Sequence, residues 1–209
     1  MFNFFKKQKE NTREPKAYIF IGRSGCGKGT QAELLIKKIE NRGIKTLHVE
    51  TGAFFREFIK KSLYTEVLAK KIVESGGLMP EAIAINMWVS YLVENFTGHE
   101  DLVFDGAPRK LMEAELLDGV LKFYNINNYK VIYINVSHDW SKARLMERHR
   151  KDDSDEGIEK RLEWFDTDVV PSIEYFKNNK DCEFIDINGE QTIEQVYSEI
   201  LTKVFNVQK

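Results

Sequence analysis

The sequence predicts an α/β fold: a five-stranded parallel sheet with helices on both faces, and two excursions from that core at residues 51–80 and 146–156. Three features predict it. Short apolar runs are separated by helix-like stretches of about ten residues or more, the pattern of a parallel sheet covered on both sides. The first apolar run passes directly into a glycine-rich turn that opens a helix-like stretch. No internal repeat or low-complexity segment points to another architecture.

Each element has its own signal. Residues 1–16 are polar and charged, end near Pro15, and read as a flexible leader before a single domain over 17–209. Ala17-Tyr18-Ile19-Phe20-Ile21 is a fully apolar run, as a strand buried on both faces requires. Lys28 to Asn41 spaces Leu34, Leu35, Ile36 and Ile39 as a helix does and stops near Gly43. Lys45 to Glu50 is the second strand. Thr51 to Tyr64 and Thr65 to Glu74 read as helices, and Gly76-Gly77 breaks them. Pro80 sits where a helix begins, and Glu81 to Asn95 follows with Trp88 and Tyr91 on its apolar face. Leu102 to Phe104 is the third strand, Leu111 to Tyr124 a helix, and Lys130 to Val136 the fourth strand. A helix starts near Asp139, and a charged patch from Arg148 to Glu156 interrupts it. Helix resumes from Ser154 to Lys177 with a break near Pro171, Glu183 to Asp186 is the fifth strand, and Thr192 to Phe205 closes the chain as a helix.

Composition limits what the protein does. Of 209 residues, 42% are hydrophobic, enough for a real core, and the net charge is -2. A nearly balanced chain lacks the basic excess of a nucleic-acid binder, so any anion site must be local. Cys26 and Cys182 form neither a disulfide framework nor a metal-ligand pair, which fits a reducing, cytoplasmic setting and no zinc. No apolar stretch approaches the roughly eighteen residues that span a bilayer. The Met1-Phe2-Asn3-Phe4-Phe5 start is too short for a signal peptide and precedes its lysines instead of following them.

The strongest chemical signal is Gly22-Arg23-Ser24-Gly25-Cys26-Gly27-Lys28-Gly29-Thr30 between the first strand and first helix. Small residues let backbone N–H groups converge on phosphate oxygens, and the helix N-terminus adds partial positive charge. Lys28 supplies a full charge that can follow a phosphoryl group through its transition state. The usual pattern has Ser or Thr directly after the lysine; here Gly29 stands there and Thr30 comes next. Cys26 is a small filler with no partner base nearby. Arg56, Arg109, Arg148, Arg150 and Arg161 fall at segment ends or in the interruption, where forked cations suit phosphate. For any one of them alone the competing reading is a solvated surface charge. Asp105, at a strand end, suits Mg²⁺ held through water. No general base is required when the acceptor is already a phosphate oxygen.

The Gly-Lys-Gly-Thr-Gln stretch at 27–31 resembles the adenylate kinase family, and the likeness recurs in order over about residues 17–205. Thr51-Gly52 with Arg56 resembles that family's Thr-Gly-x-x-x-Arg segment. Gly76-Gly77-Leu78-Met79-Pro80 resembles Gly-x-Leu-Val-Pro, and Asp105-Gly106-Ala107-Pro108-Arg109 resembles Asp-Gly-Phe-Pro-Arg. Arg144, Arg148, Arg150, Asp152-Asp153 and Arg161 resemble its lid and following helix, and Pro171 and Asn188-Gly189-Glu190 also fit. The resemblance implies a P-loop kinase that makes ADP and a nucleoside diphosphate from ATP and a nucleoside monophosphate, with Mg²⁺, as a monomer. It implies a monophosphate-binding lobe at 51–80 and a short lid at 146–156. It assigns ATP to Gly25, Cys26, Gly27, Lys28, Gly29, Thr30, Arg148 and Gln191. It assigns the monophosphate to Thr51, Gly52, Arg56, Gly77, Leu78, Met79, Gly106, Arg109, Glu113, Arg150 and Arg161. Catalysis falls to Lys28, Arg109, Arg148, Arg150 and Arg161.

The pattern is broken at several positions. Glu113 stands where the family usually has the Gln that recognises adenine, and a carboxylate only accepts hydrogen bonds. Either Glu113 weakens the selection of AMP or admits GMP, or it simply pairs with Lys110 on the same helix. Ala53 replaces an Asp, Ala107 replaces an aromatic, and only His149 separates Arg148 from Arg150. Rival readings are a kinase for GMP, UMP or CMP on the same fold, a nucleotide-binding protein with reduced catalysis, and a small-metabolite kinase. The matched motifs in 51–80 argue against the last of these.

Overall fold

The computed structural model describes residues 13–148 and 154–205; the expected lid residues His149, Arg150, Asp152 and Asp153 lie outside the described residues. Five strands form one parallel sheet: β1 (Ala17–Ile21), β2 (Thr46–Glu50), β3 (Asp101–Asp105), β4 (Tyr129–Asn135) and β5 (Cys182–Asn188), in the order β2-β3-β1-β4-β5. The helices are α1 (Lys28–Glu40), α2 (Thr51–Phe58), α3 (Tyr64–Glu74), α4 (Glu81–Asn95), α5 (Leu111–Phe123), α6 (His138–Arg148), α7 (Asp155–Trp164), α8 (Val170–Asn178) and α9 (Ile193–Phe205). The expected fold class and every expected strand are present.

The period of two along β1 explains the two-layer packing. Ala17, Ile19 and Ile21 join Trp88 and Leu92 of α4, Leu117 and Leu121 of α5 and Phe176 of α8 in one core. Tyr18 and Phe20 face the other way and join Leu35 and Ile39 of α1 with Val196 and Ile200 of α9. With helices on both faces, β1 has no wet side, so all five of its residues are buried. Ala107, small where an aromatic was expected, is fully buried in the first core.

Three boundaries differ from expectation for physical reasons. The expected leader is not loose at its end: Arg13 pairs with buried Asp101 at 2.7 Å, and the Lys16 N–H donates to the same carboxylate at 2.8 Å. The helix expected over Thr51–Tyr64 stops at Phe58, because the residues leading to Leu63, which is 72% exposed, have no apolar face to hold a further turn against the protein. The break expected near Pro171 occurs just before it, as a π-helical turn over Phe165–Val169. Pro171 lacks an N–H and its ring crowds the carbonyl four residues back, so the preceding turn widens instead of the helix ending.

The 51–80 excursion has a small core of its own, in which Phe55, Ala69 and Met79 pack on Ala84 of α4. It leans on α7. A side chain at Gly76 would meet the Gly157 carbonyl oxygen at 2.4 Å, and the Trp164 indole N–H donates to the Gly76 carbonyl at 3.0 Å. No helix among the described residues is long and apolar enough to cross a membrane.

Candidate active site

The carboxyl ends of β1, β2 and β3 open into a cavity of about 550 Å³. Its position follows from the strand order: β1 has β3 on one side and β4 on the other, so its connections leave in opposite directions and a crevice opens above it.

The glycine loop forms the floor. Gly25 and Gly27 have φ of 86° and 93°, values L side chains rarely adopt, and Gly27 caps α1 with no side-chain bond. The first N–H groups of α1 are thereby left to an anion. The Lys28 ammonium folds back and donates to the Gly22 and Arg23 carbonyls, both at 2.9 Å. Gly29, the apparent departure from the usual pattern, has a local cause. A Cβ there would lie 3.1 Å from Asp105 Oδ2, a tight approach, so a side chain at this position would press on the carboxylate. Burial pushes the Asp105 carboxyl up, and Lys28 opposes that shift. Cys26 is buried and its thiol is pushed up by burial, as a filler should be. The loop is braced from behind by Ser141 of α6, whose hydroxyl donates to the Ser24 carbonyl.

Across the cavity lie Gly52, Arg56, Gly77, Met79, Arg109, Arg148 and Arg161. Arg161 is 8% exposed although it is an arginine. Arg109 is anchored by its Nε donating to the Gly106 carbonyl at 2.8 Å, and its guanidinium sits 5.7 Å over the Trp164 ring. Burial pulls Arg109 below its ordinary value, with Glu113 and Asp105 opposing. Gly106 has φ of 84°, and a Cβ on it would strike the Thr51 hydroxyl at 2.8 Å. Among the described residues, six cationic side chains and four carboxylates line the cavity, a local positive excess on a chain of net charge -2. The buried Thr51 hydroxyl has no hydrogen-bond partner.

Two further pockets share walls with this cavity. One, of about 210 Å³, is lined by Cys26, Thr30, Trp140, Arg144, Gly189 and Gln191. The Arg144 guanidinium lies 4.9 Å over the Trp140 ring. Gln191 is held by the Asn188 carbonyl and Glu199, at 2.9 and 3.0 Å. The other is a narrow recess formed by Thr51, Phe55, Leu78, Met79, Gly106, Arg109 and Glu113.

Nearly all the sequence-predicted residues therefore meet. The exceptions are informative. Arg150 lies outside the described residues. Arg23, in the glycine loop, turns away to pair with Asp166 at 2.7 Å and to lie 4.1 Å over Phe165. The expected Lys110–Glu113 pairing does not form, since the Lys110 ammonium goes to Glu81 at 2.9 Å and Asp168 at 3.8 Å. Cavity residues to which the sequence assigned no role include Glu33, His48, Glu50, Glu147 and Trp164, and Arg144, read there only with the lid and following helix, lines the cavity as well. The position of Glu50 at the carboxyl end of a strand was the available signal. It stands directly beside Asp105 in the sheet and holds Arg56 at 2.6 Å.

Among the described residues no group of three or more His, Cys, Asp or Glu side chains could hold a metal. The donors near the loop are the oxygens of Thr30, Glu50 and Asp105. Such a set suits a hard cation that keeps most of its water and leans on substrate phosphates, and gives no cage for a softer metal.

A parallel sheet with a glycine loop, an anion-receptive helix end and a cationic cavity defines a phosphate-loop nucleotide-binding protein. Comparison with known proteins specifies it further. A family model for adenylate kinase matches residues 20–181. Adenylate kinase 1 of Nostoc sp. is 32% identical over 182 residues, 87% of this chain and 95% of the relative. The adenylate kinase of Flavobacterium psychrophilum is 34% identical over 193 residues, covering 90% of this chain and 97% of the relative. That of Rickettsia bellii is 30% identical, covering 88% and 97%. The chain belongs to the adenylate kinase family and is a phosphotransferase.

Proposed function

We propose that the chain transfers the γ-phosphoryl group of ATP to AMP, forming two ADP. The observation that carries this reading is the gathering of Lys28, Arg56, Arg109, Arg148 and Arg161 around one cavity floored by the glycine loop. A phosphate oxygen of the acceptor attacks the γ-phosphorus, the bond from the γ-phosphorus to the β-bridging oxygen breaks, and ADP leaves. The acceptor oxygen is already ionised, so the protein supplies position and positive charge, not a base.

On this reading ATP phosphates lie on the N–H groups of Gly25 to Thr30, and Lys28 exchanges its two carbonyl partners for phosphoryl oxygens. The adenine of ATP enters the pocket of Arg144, Trp140 and Gln191, where a guanidinium face and a polar edge await a flat base. Residues 51–80 form the acceptor lobe, with Thr51, Gly52, Arg56, Gly77, Leu78, Met79, Gly106, Arg109 and Glu113 around the monophosphate. Residues 146–156 form the lid, with Arg148 and Arg161 bridging the two phosphates; Arg150 joins them on the family resemblance. Asp105 and Thr30 would hold Mg²⁺ through water, and the ion when bound would offset charge on the β- and γ-phosphates.

A coupled ADP-release assay with Mg-ATP and AMP, GMP, UMP or CMP tests the reading. Turnover that depends on Lys28 and is highest with a purine monophosphate is expected. Turnover confined to UMP or CMP would rename the acceptor, and no turnover would leave a binding protein.

Glu50 adds a prediction. Its ion pair with Arg56 must open before Arg56 can take an acceptor phosphate. Both side chains are substantially solvent-accessible, so the pair is weak. Glu50→Gln is expected to lower the acceptor KM about two- to fivefold, the range such a pair is worth, with the ATP KM unchanged. An unchanged or raised acceptor KM would show that the pair does not compete with substrate.

A further inference from the structure

The recess beside Arg109 ends on a carboxyl group that the fold leaves poorly matched. Glu113 stands in the first turn of α5 and is 3% exposed. Its Oε2 accepts the Arg109 backbone N–H at 3.3 Å, a long bond for a charged acceptor, and no side chain among the described residues donates to it. Of its two neighbouring cations, Lys110 is committed to Glu81 and Asp168, and Arg109 gives its Nε to the Gly106 carbonyl. The opposite walls, Thr51 and Phe55 of α2 and Leu78 and Met79 of the following loop, carry no charge. The charged groups that bear on Glu113 are Arg109 and Lys110 from its own end of α5 and Glu81 from α4. Burial pushes the Glu113 carboxyl up; Arg109 and Lys110 oppose, and Glu81 adds to the rise.

A carboxyl group so placed has two recognition states. Protonated, it offers an O–H donor beside a carbonyl acceptor; ionised, it offers two acceptors. Adenine presents an amine donor beside a ring-nitrogen acceptor, the complement of the acid. Guanine presents a ring N–H beside an amine, both donors, the complement of the carboxylate. The apolar walls make either mismatch costly, because an unpaired polar group would stay buried.

We propose that Glu113 selects the acceptor base by its own ionisation, taking the adenine of AMP as the carboxylic acid and the guanine of GMP as the carboxylate. This rests on the phosphotransfer reading above. The sign is fixed. As pH rises Glu113 loses its proton, so kcat/KM for AMP falls relative to that for GMP. The phosphate groups of AMP and GMP titrate alike, and ATP is common to both assays, so their contributions cancel in the ratio.

The test is kcat/KM for AMP and for GMP at saturating Mg-ATP, from pH 5.5 to 9 at constant ionic strength, on the full chain. The AMP-to-GMP ratio is expected to fall by about tenfold or more across that range. Glu113→Gln, nearly isosteric with the acid and unable to ionise, is expected to hold a flat, AMP-favouring ratio. A ratio independent of pH in the native chain overturns the proposal, as does a Glu113→Gln ratio that keeps the native slope. Either result with Lys28-dependent turnover intact leaves the phosphotransfer reading standing. Loss of turnover with every monophosphate removes both.

Discussion

Lys28→Ala is expected to lower kcat by about 10³-fold or more, with little change in fold. Of the two cations in the loop, Lys28 lines the cavity and Arg23 turns away to Asp166. Charge placed on a transferring phosphoryl group is worth about 10³-fold in comparable sites, roughly 4 kcal/mol of barrier. The present partners of Lys28 are the Gly22 and Arg23 carbonyls and, at 3.7 Å, the Cys26 sulfur, all within the loop itself, so losing the side chain breaks no hydrogen bond to another element. The loop is held independently by Gly22, where a Cβ would lie 2.5 Å from the Ile134 carbonyl oxygen, and by the Ser141–Ser24 bond. Steady-state kinetics with AMP, together with an unchanged circular-dichroism melt, checks this. A loss confined to the ATP KM would show that Lys28 only binds substrate and does not follow the phosphoryl group.

Trp88→Ala is expected to destabilise the protein by about 3–5 kcal/mol, a large share of a typical domain's stability. Trp88 is 1% exposed and meets Phe104 of β3 edge to face at 6.4 Å, so it wedges α4 against the middle of the sheet. Truncation leaves a cavity between two rigid layers that cannot close over it. Trp88→Phe is a sharper test. The indole N–H is buried with no partner, and phenylalanine removes that unpaired donor along with the ring area. Its cost is expected to stay under about 1.5 kcal/mol. Urea unfolding of both variants decides it. A Trp88→Phe cost as large as that of Trp88→Ala would overturn this expectation.

The two effects fall on opposite sides of one structural division. Trp88 packs on the sheet that carries the strand ends; Lys28 lies above those ends, on the glycine loop. Glu50 lines the cavity and Glu113 the buried recess beside it. Glu50 is offset by Arg56, whereas Glu113 has no side-chain donor among the described residues.

Much of this was legible in the sequence for a local reason. An apolar run, a glycine loop and a following helix are adjacent in the chain, so β1, the loop and α1 could be read directly, along with the role of Lys28. Matching motifs in order fixed the family and the lobe from Thr51 to Pro80. The helical periods of α4, α5 and α9 gave their extents to within a few residues. What the sequence could not supply were relations across the fold. That Glu50 lies beside Asp105 depends on β2 pairing with β3. That a side chain at Gly29 would press on Asp105, 76 residues away, depends on β3 pairing with β1. Arg23 sits in the glycine loop by sequence, yet in the fold it pairs with Asp166 and lies over Phe165 of the π-helical turn instead of lining the cavity. Lys110 was the natural partner of Glu113 along the helix, and Glu81, 29 residues earlier, takes it instead. Local sequence determines backbone conformation and the chemistry each segment carries, because propensity and pattern act over a few residues. Which charges meet, and which buried carboxyl keeps a backbone N–H but no side-chain donor among the described residues, is decided only when distant segments pack together.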